Sequence, residues 1–214
     1  MNGRKALDRF YLGLGACARH TGETGDAFRP CGPSDPLDRK NRFLRLPAAF
    51  VSARGKSSHT NVYGEVLWHG LFDASYTRPG DYLVTPAGTY FIASQAPLLP
   101  ILCVRTNRTI SVARASIQVN PALNGYGGYN PNARLTLMER WPASLLGEGL
   151  SGTSRAGLPT DQAVQIWDVL LPSIAGIFLA PGDIVTDDLG RTAVIAGSEL
   201  TDLGWRISAK MATT

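Results

Sequence analysis

Residues 4–19 set Leu7, Phe10, Tyr11, Leu14 and Ala18 at spacings of three and four, which gathers them on one face of a helix. That apolar stripe predicts burial against the chain's own core or against a neighbouring subunit, and periodicity does not separate the two. From Thr21 to about Thr60 the helical period disappears into Gly, Pro, Ser and Arg, through RPCGPSDP, LDRKNRFLRLPAAFV and SARGKSSHT. Such a stretch predicts an extended arm and loops with one short strand around Phe43–Val51.

The middle of the chain changes character again. Between Val62 and Val112 the runs VYGEVLWHGLF, DYLVT, TYFIAS, ILCVRT and TISVAR are rich in Val, Ile, Tyr and Phe and are separated by RPGD, PAG and APLLP. These are strand and turn signals. Residues 117–133, IQVNPALNGYGGYNPNA, read as a linker loop, and LTLMERW, QIWDVLLP, DIVTD, TAVIAG and WRISAKMA then predict a second β module. The expected fold is mainly β: two related small β-barrels or β-sandwiches with an N-terminal helix and an extended arm. The expected organisation is helix and arm over 1–60, first module over 61–116, linker over 117–133 and second module over 134–214.

The two modules share a plan. In the first, Trp68 begins an apolar run, Pro79-Gly80-Asp81 turns it, YLVT follows, and Gly88 precedes TYFIAS; in the second, Trp167, Pro181-Gly182-Asp183, IVTDD and Gly190 take the same places. Proline to downstream glycine is nine residues in both. Proline fixes φ at the first turn position and glycine accepts positive φ at the second, so each unit reads as turn, strand, hairpin, strand. Two such units suggest a duplicated plan.

Composition sharpens this picture a little. Gly 23 and Pro 14 in 214 residues, scattered rather than clustered, suit many short strands, and a charged fraction of 18% is below the usual quarter, as for a surface that partners cover. A net charge of +4 tolerates a polyanion nearby but falls short of a dedicated nucleic-acid binder. Cys17, Cys31 and Cys103 are odd in number and unrelated in spacing, so free thiols and folding in a reducing cytoplasm are expected. Asp8 and Arg9 interrupt the N-terminal apolar stretch, which therefore does not read as a signal peptide. No window approaches the roughly 18 apolar residues of a membrane span, and a soluble protein without membrane contact is expected.

Candidate chemistry adds no catalytic, cofactor or metal residue. His20, His59 and His69 are possible bases, but no nucleophile-elbow signature accompanies them, and His69 beside Trp68 reads as a core or interface histidine. Cys17, His20 and Cys31, with His59 as a fourth ligand, lack the second closely spaced pair of a zinc motif, and Cys17 is expected on the buried face of the helix. Gly13 and Gly15 follow no strand, and NGYGGYN at 124–130 lacks a G-K-[ST] ending, so neither is a nucleotide site. Asp161, Asp187 and Asp188 read as turn formers rather than calcium ligands. Arg39, Lys40, Arg42 and Arg45 around Phe43 form a short basic run, and Arg105, Arg108 and Arg114 lie near strand ends where they could line a channel.

The stretch LWHGLFD…RPGDYLVTPAGTYFIASQAPLLPILCVRTNRTISV resembles virion proteins encoded among the head–tail genes of tailed phages. The ending LLP…PGDIVTDDLGRTAVIAGSELTDLGWRISA resembles the D-x-G-R β-hairpin of head-closure, stopper and neck proteins, here Asp188, Gly190 and Arg191. The resemblance covers about residues 62–112 and 165–210. It implies a non-enzymatic neck component, a head–tail connector, stopper or collar without cofactor. Such a protein forms a symmetric ring of six or twelve copies between portal or adaptor and tail terminator, tube or fibres, with non-specific contact to packaged DNA in reach. The virion neck, after synthesis in the bacterial cytoplasm, is the implied location. Simple stoppers are shorter and carry one barrel, so a duplicated chain points to a collar or accessory neck protein. Assembly is expected through exposed strand edges, the apolar helix and the arm. The rival readings are a capsid decoration protein, an OB-type single-strand binder using Tyr82, Tyr90 and Phe91, and a virion-associated hydrolase.

Overall fold

The computed structural model describes residues 3–53, 64–115, 134–148 and 165–211. The helix α1 (Gly3–Thr21) is followed by β1 (Glu23–Phe28), a 3-10 turn at Arg39–Asn41, β2 (Arg42–Ser52), β3 (Leu67–Leu71), β4 (Tyr82–Thr85), β5 (Gly88–Ser94) and β6 (Ile101–Arg105). The second half supplies β7 (Arg108–Ala115), β8 (Arg134–Glu148), β9 (Ile166–Leu171), β10 (Ile184–Asp187), β11 (Thr192–Thr201) and β12 (Gly204–Met211).

The twelve strands close into two antiparallel barrels of six, in the order β1-β2-β3-β6-β5-β4 and, in the same sense, β7-β8-β9-β12-β11-β10. Strand for strand the topology is identical, so the duplicated plan of the sequence extends over the whole of both barrels. It also takes in a second repeated signal. Arg45-Leu46-Pro47-Ala48 on β2 and Arg140-Trp141-Pro142-Ala143 on β8 occupy equivalent registers, Pro47 opposite Thr24 of β1 and Pro142 opposite Thr109 of β7. Just beyond each alanine the strand changes partners, β2 from β1 to β3 and β8 from β7 to β9. Proline is tolerated there because the corner interrupts the hydrogen-bond ladder.

Two expectations from the sequence change. Over residues 21–53 the expected arm is barrel wall: β1 and β2, the latter covering the expected strand around Phe43–Val51, are two of the six strands of the first barrel, and β1 closes it by pairing with β4, while residues 54–60 lie outside the described residues. Polar and glycine-rich β1 (ETGDAF) shows alternating burial, with only Ala27 and Gly25 inward, so its apolar signal is too sparse to read as a strand. The boundary between barrels also moves, because β7 belongs to the second barrel and only Thr106 and Asn107 separate it from β6. The expected linker over 117–133 lies outside the described residues and joins β7 to β8 within one barrel.

Burial on two faces explains the strongest apolar runs. In β5, Tyr90 and Ile92 join the core of the first barrel while Phe91 and Ala93 join that of the second. In β6, Ile101 and Cys103 face inward and Val104 faces the neighbouring barrel. The runs YFIA and ILCV therefore lose their polar alternation because both sides are covered. Helix α1 uses its stripe on its own core, with Tyr11 and Ala18 buried and Leu7, Phe10 and Leu14 packed on the first barrel. Gly15 lets the helix approach closely: a Cβ there would stand 2.9 Å from that of Asp73.

Candidate assembly surface

Each barrel is fastened at its seam by the same arginine–aspartate clasp. At the end of β1, Arg29 donates from Nε to Asp81 Oδ1 (2.9 Å) and from Nη2 to Asp81 Oδ2 (2.7 Å) and the Tyr76 carbonyl (2.9 Å). At the end of β7, Arg114 makes the same three bonds, to Asp183 Oδ1 (2.7 Å), Asp183 Oδ2 (2.9 Å) and the Phe178 carbonyl (2.9 Å). Both carboxylates also accept a turn N–H, from Arg78 and Ala180, and both turns place their glycine at positive φ, 94° for Gly80 and 93° for Gly182. The bonds from the carboxylates hold both guanidinium groups above their ordinary pKa. Bidentate, charge-assisted pairing with a buried carboxylate makes this a structural fastener. It presents two equivalent exposed aromatics, Tyr76 and Phe178, at the turn.

The D-x-G-R hairpin is held by the preceding residue. Asp187 Oδ1 accepts from the N–H groups of Leu189 (3.1 Å) and Arg191 (2.8 Å), and Oδ2 accepts from Arg191 Nε (2.8 Å). Burial pushes the Asp187 carboxyl up, but the hydrogen bonds and charge of Arg191 together outweigh it and leave the pKa below the ordinary carboxylate value. The Arg191 guanidinium also lies 5.1 Å from the centre of the Trp167 ring. Asp188, by contrast, points outward to Arg108 at 3.7 Å.

Among the described residues, the others singled out in the sequence do not converge. Cys17 and Cys31 are exposed and Cys103 is buried among apolar groups, which raises its thiol pKa. Cys17 thus departs from the expected buried face, where Ala18 sits instead. His20 is exposed at the end of α1, His69 is half-buried on β3 between Val51 and Leu102, and His59 lies outside the described residues. Among the described residues no group of three or more His, Cys, Asp or Glu could hold a metal ion. Gly13 lies mid-helix in α1; residues 124–130 and Asp161 are outside the described residues.

The basic groups are interleaved with acids: Lys40 pairs with Asp38 (3.4 Å), and Arg42 (3.3 Å) and Arg45 (3.8 Å) both approach Asp26. Phe43 lies under Arg29, and Arg39 stands in the 3-10 turn. Arg105 reaches the Ala87 carbonyl, Arg108 reaches Asp188 and Arg114 closes its clasp, so the three line no common channel. Tyr82, Tyr90 and Phe91 are core residues, which leaves no stacking face made of them.

Two features of the surface bear on assembly. Among the described residues both barrels are closed, so no strand lies wholly at an edge, but β2 and β8 change partner along their length and β11 beyond Ile195 pairs with β12 alone, which leaves only these single-sided stretches for the expected pairing through strand edges. Exposed apolar side chains sit both on strands, at Phe43, Val51, Leu67, Leu135 and Val194, and at helix, turn and hairpin positions: Leu12 on α1, Tyr76 and Phe178 at the clasped turns, Leu98 and Leu99 between β5 and β6, Leu189 at the D-x-G-R turn, and Leu200 and Leu203 at the β11–β12 hairpin. Leu98 holds a φ of 62°, unusual for a branched side chain, and with Pro97 and Pro100 beside it the loop is stiff. A mostly apolar cleft of about 460 Å³ opens between the barrels, lined by Leu67, Phe91 and Leu102 on one side and Leu171, Leu203 and Trp205 on the other.

Comparison with family models, with curated proteins and with solved structures found no match to this chain.

Proposed function

We propose that the chain is a non-catalytic structural component of a tailed-phage particle, working at the neck where head and tail join, as a connector, stopper or collar. The observation that carries this reading is the D-x-G-R hairpin, which carries the second of the two stretches of resemblance. It is a formed turn of a small closed barrel, fixed by Asp187 and Arg191, with Leu189 exposed at its tip. The doubled barrel and the apolar groups at loop tips fit a part that works by contact. Its partners are copies of itself in a closed ring of six or twelve, together with portal or adaptor, tail terminator, tube or fibres. Contact with the packaged DNA is non-specific where it occurs, since Lys40 of the 3-10 turn is shared with Asp38 and Arg42 and Arg45 of β2 with Asp26.

Mass spectrometry of purified tailed particles, followed by gold-labelled antibody against the chain, tests the reading. The expected result is a stoichiometric protein with label confined to the head–tail junction. Absence from the particle, or label spread over the capsid, overturns it, the latter in favour of a decoration protein.

A further inference from the structure

One surface of each barrel is apolar and charged in a way that matches a surface on the other. Between α1 and β2 runs a groove of about 230 Å³ lined by Leu12, Gly15, Arg19, Leu44, Arg45 and Tyr76, among others. Leu12 is 59% and Tyr76 70% exposed, Arg45 has only a long pairing of 3.8 Å with Asp26, and Arg19 forms no ion pair among the described residues. The groove is open and apolar at its floor, and its charged lining of Arg19, Arg45 and Asp73 carries one positive charge in excess.

The β11–β12 hairpin has the opposite character. Its tip reads Glu199-Leu200-Thr201-Asp202-Leu203, with Leu200 50% and Leu203 42% exposed, and neither acid forms an ion pair among the described residues. Arg206 stands opposite Glu199 in register, which leaves the tip with one acid in excess. The turn is fixed in advance: Thr201 Oγ1 donates to the Gly204 carbonyl (2.8 Å) and accepts from the Leu203 N–H (3.2 Å). A tip already held in shape loses little freedom on docking. The charge of the whole chain is divided in the same sense, since residues 1–107 hold 13 Lys and Arg against 8 Asp and Glu, and residues 108–214 hold 8 against 9.

We propose that the β11–β12 hairpin tip of one copy seats in the α1–β2 groove of the next, Leu200 and Leu203 against Leu12 and Tyr76, Asp202 against Arg19. Groove and tip share no residue and lie on different barrels, so the contact is heterologous and passes from copy to copy in one direction, as a ring or an open filament requires. The inference rests on the preceding reading only in taking the partner to be a second copy of the chain.

Sedimentation velocity of the purified full-length chain over a concentration series tests it, with Arg19→Glu, Asp202→Arg and the double variant beside the wild type. The wild type is expected to assemble. Each single variant should raise the concentration needed by about tenfold or more, because like charges then meet at the rim. The double variant should assemble again, and so should an equimolar mixture of the two single variants, in which each reversed surface finds its complement. That rescue also guards against a variant that merely folds badly. A wild type that stays monomeric throughout, singles that assemble like the wild type, or a double variant without rescue overturns the contact. None of these outcomes decides whether the chain sits at the neck, which the particle labelling reads independently.

Discussion

The phenol of Tyr82, on β4 of the first barrel, donates a 2.8 Å hydrogen bond to the carbonyl of Pro142 on β8 of the second. Both residues are buried, and the Tyr82 ring meets Trp141 edge-on at 6.2 Å between centres. The same junction carries Pro33, whose carbonyl accepts from the Glu139 N–H (2.7 Å) and from Trp141 Nε1 (3.0 Å). The two barrels are therefore joined by directional bonds set in a shared apolar layer. Tyr82→Phe should cost about 1 kcal/mol, since it leaves a buried carbonyl without its partner while keeping the ring. Urea denaturation reads that loss. Tyr82 should also remain protonated where exposed tyrosines ionise, because burial raises its pKa well above 10.0, and ultraviolet absorbance at high pH follows this.

The two clasps should behave alike despite their different places in the chain. Arg29→Met or Arg114→Met removes the bidentate partner of a buried carboxylate, with side-chain exposures of 1% for Asp81 and 2% for Asp183, and Asp81 keeps only a long contact of 3.9 Å with the exposed Arg78. Because each guanidinium is about a third or more exposed, the expected cost is about 2–3 kcal/mol, below the full loss of a buried pair. Thermal denaturation of the two variants should show similar losses. A large loss at one site and none at the other would mean that the clasps are not equivalent.

Acid should weaken the D-x-G-R turn specifically. The folded pKa of Asp187 is depressed, so its contribution is present above the unfolded value of about 3.9 and disappears as pH falls through the lower folded value. Asp187→Asn should therefore be less stable than the wild type near neutrality, by about 1–2 kcal/mol. The gap should narrow below about pH 4, where the wild-type carboxyl takes up its proton. Denaturation curves across pH 2.5–7, which spans about four units around the carboxylate range, give the comparison.

Gly204, at the turn of the β11–β12 hairpin, has φ of 120°, and a Cβ there would run into the Leu171 carbonyl of β9. Gly204→Ala should cost more than about 1 kcal/mol, through strain and displacement of that backbone together. Gly182→Ala makes an informative contrast: its φ is similarly positive, 93°, but among the described residues no atom beyond its chain neighbours lies within 4 Å of the added carbon, so the backbone strain remains without a clash. Melting temperatures of the two variants separate the contributions.

The turns were the most legible part of the chain. Pro79-Gly80-Asp81 and Pro181-Gly182-Asp183 carry their geometry in their own residues, and the structure gives both the same type of turn. The β5 and β6 runs were legible as strands for the same local reason. What joins the turns to the rest was not. Arg29 precedes Asp81 by 52 residues and Arg114 precedes Asp183 by 69, so the clasp has no fixed spacing and shows itself only when the barrel closes. Nor did β1 declare itself, because its stability comes from pairing with β2 and β4 rather than from its own composition. The repeated R-x-P-A corner was visible in principle at Arg45 and Arg140, but it falls on one side inside a segment that reads as an arm.

The neck assignment meets its most direct test in cryo-electron microscopy of intact tailed particles, with symmetry averaging over the head–tail junction. The account predicts a ring between portal and tail tube whose repeating unit accommodates two six-stranded barrels joined through Tyr82 and Pro142. A fully interpreted junction containing no such unit would contradict it.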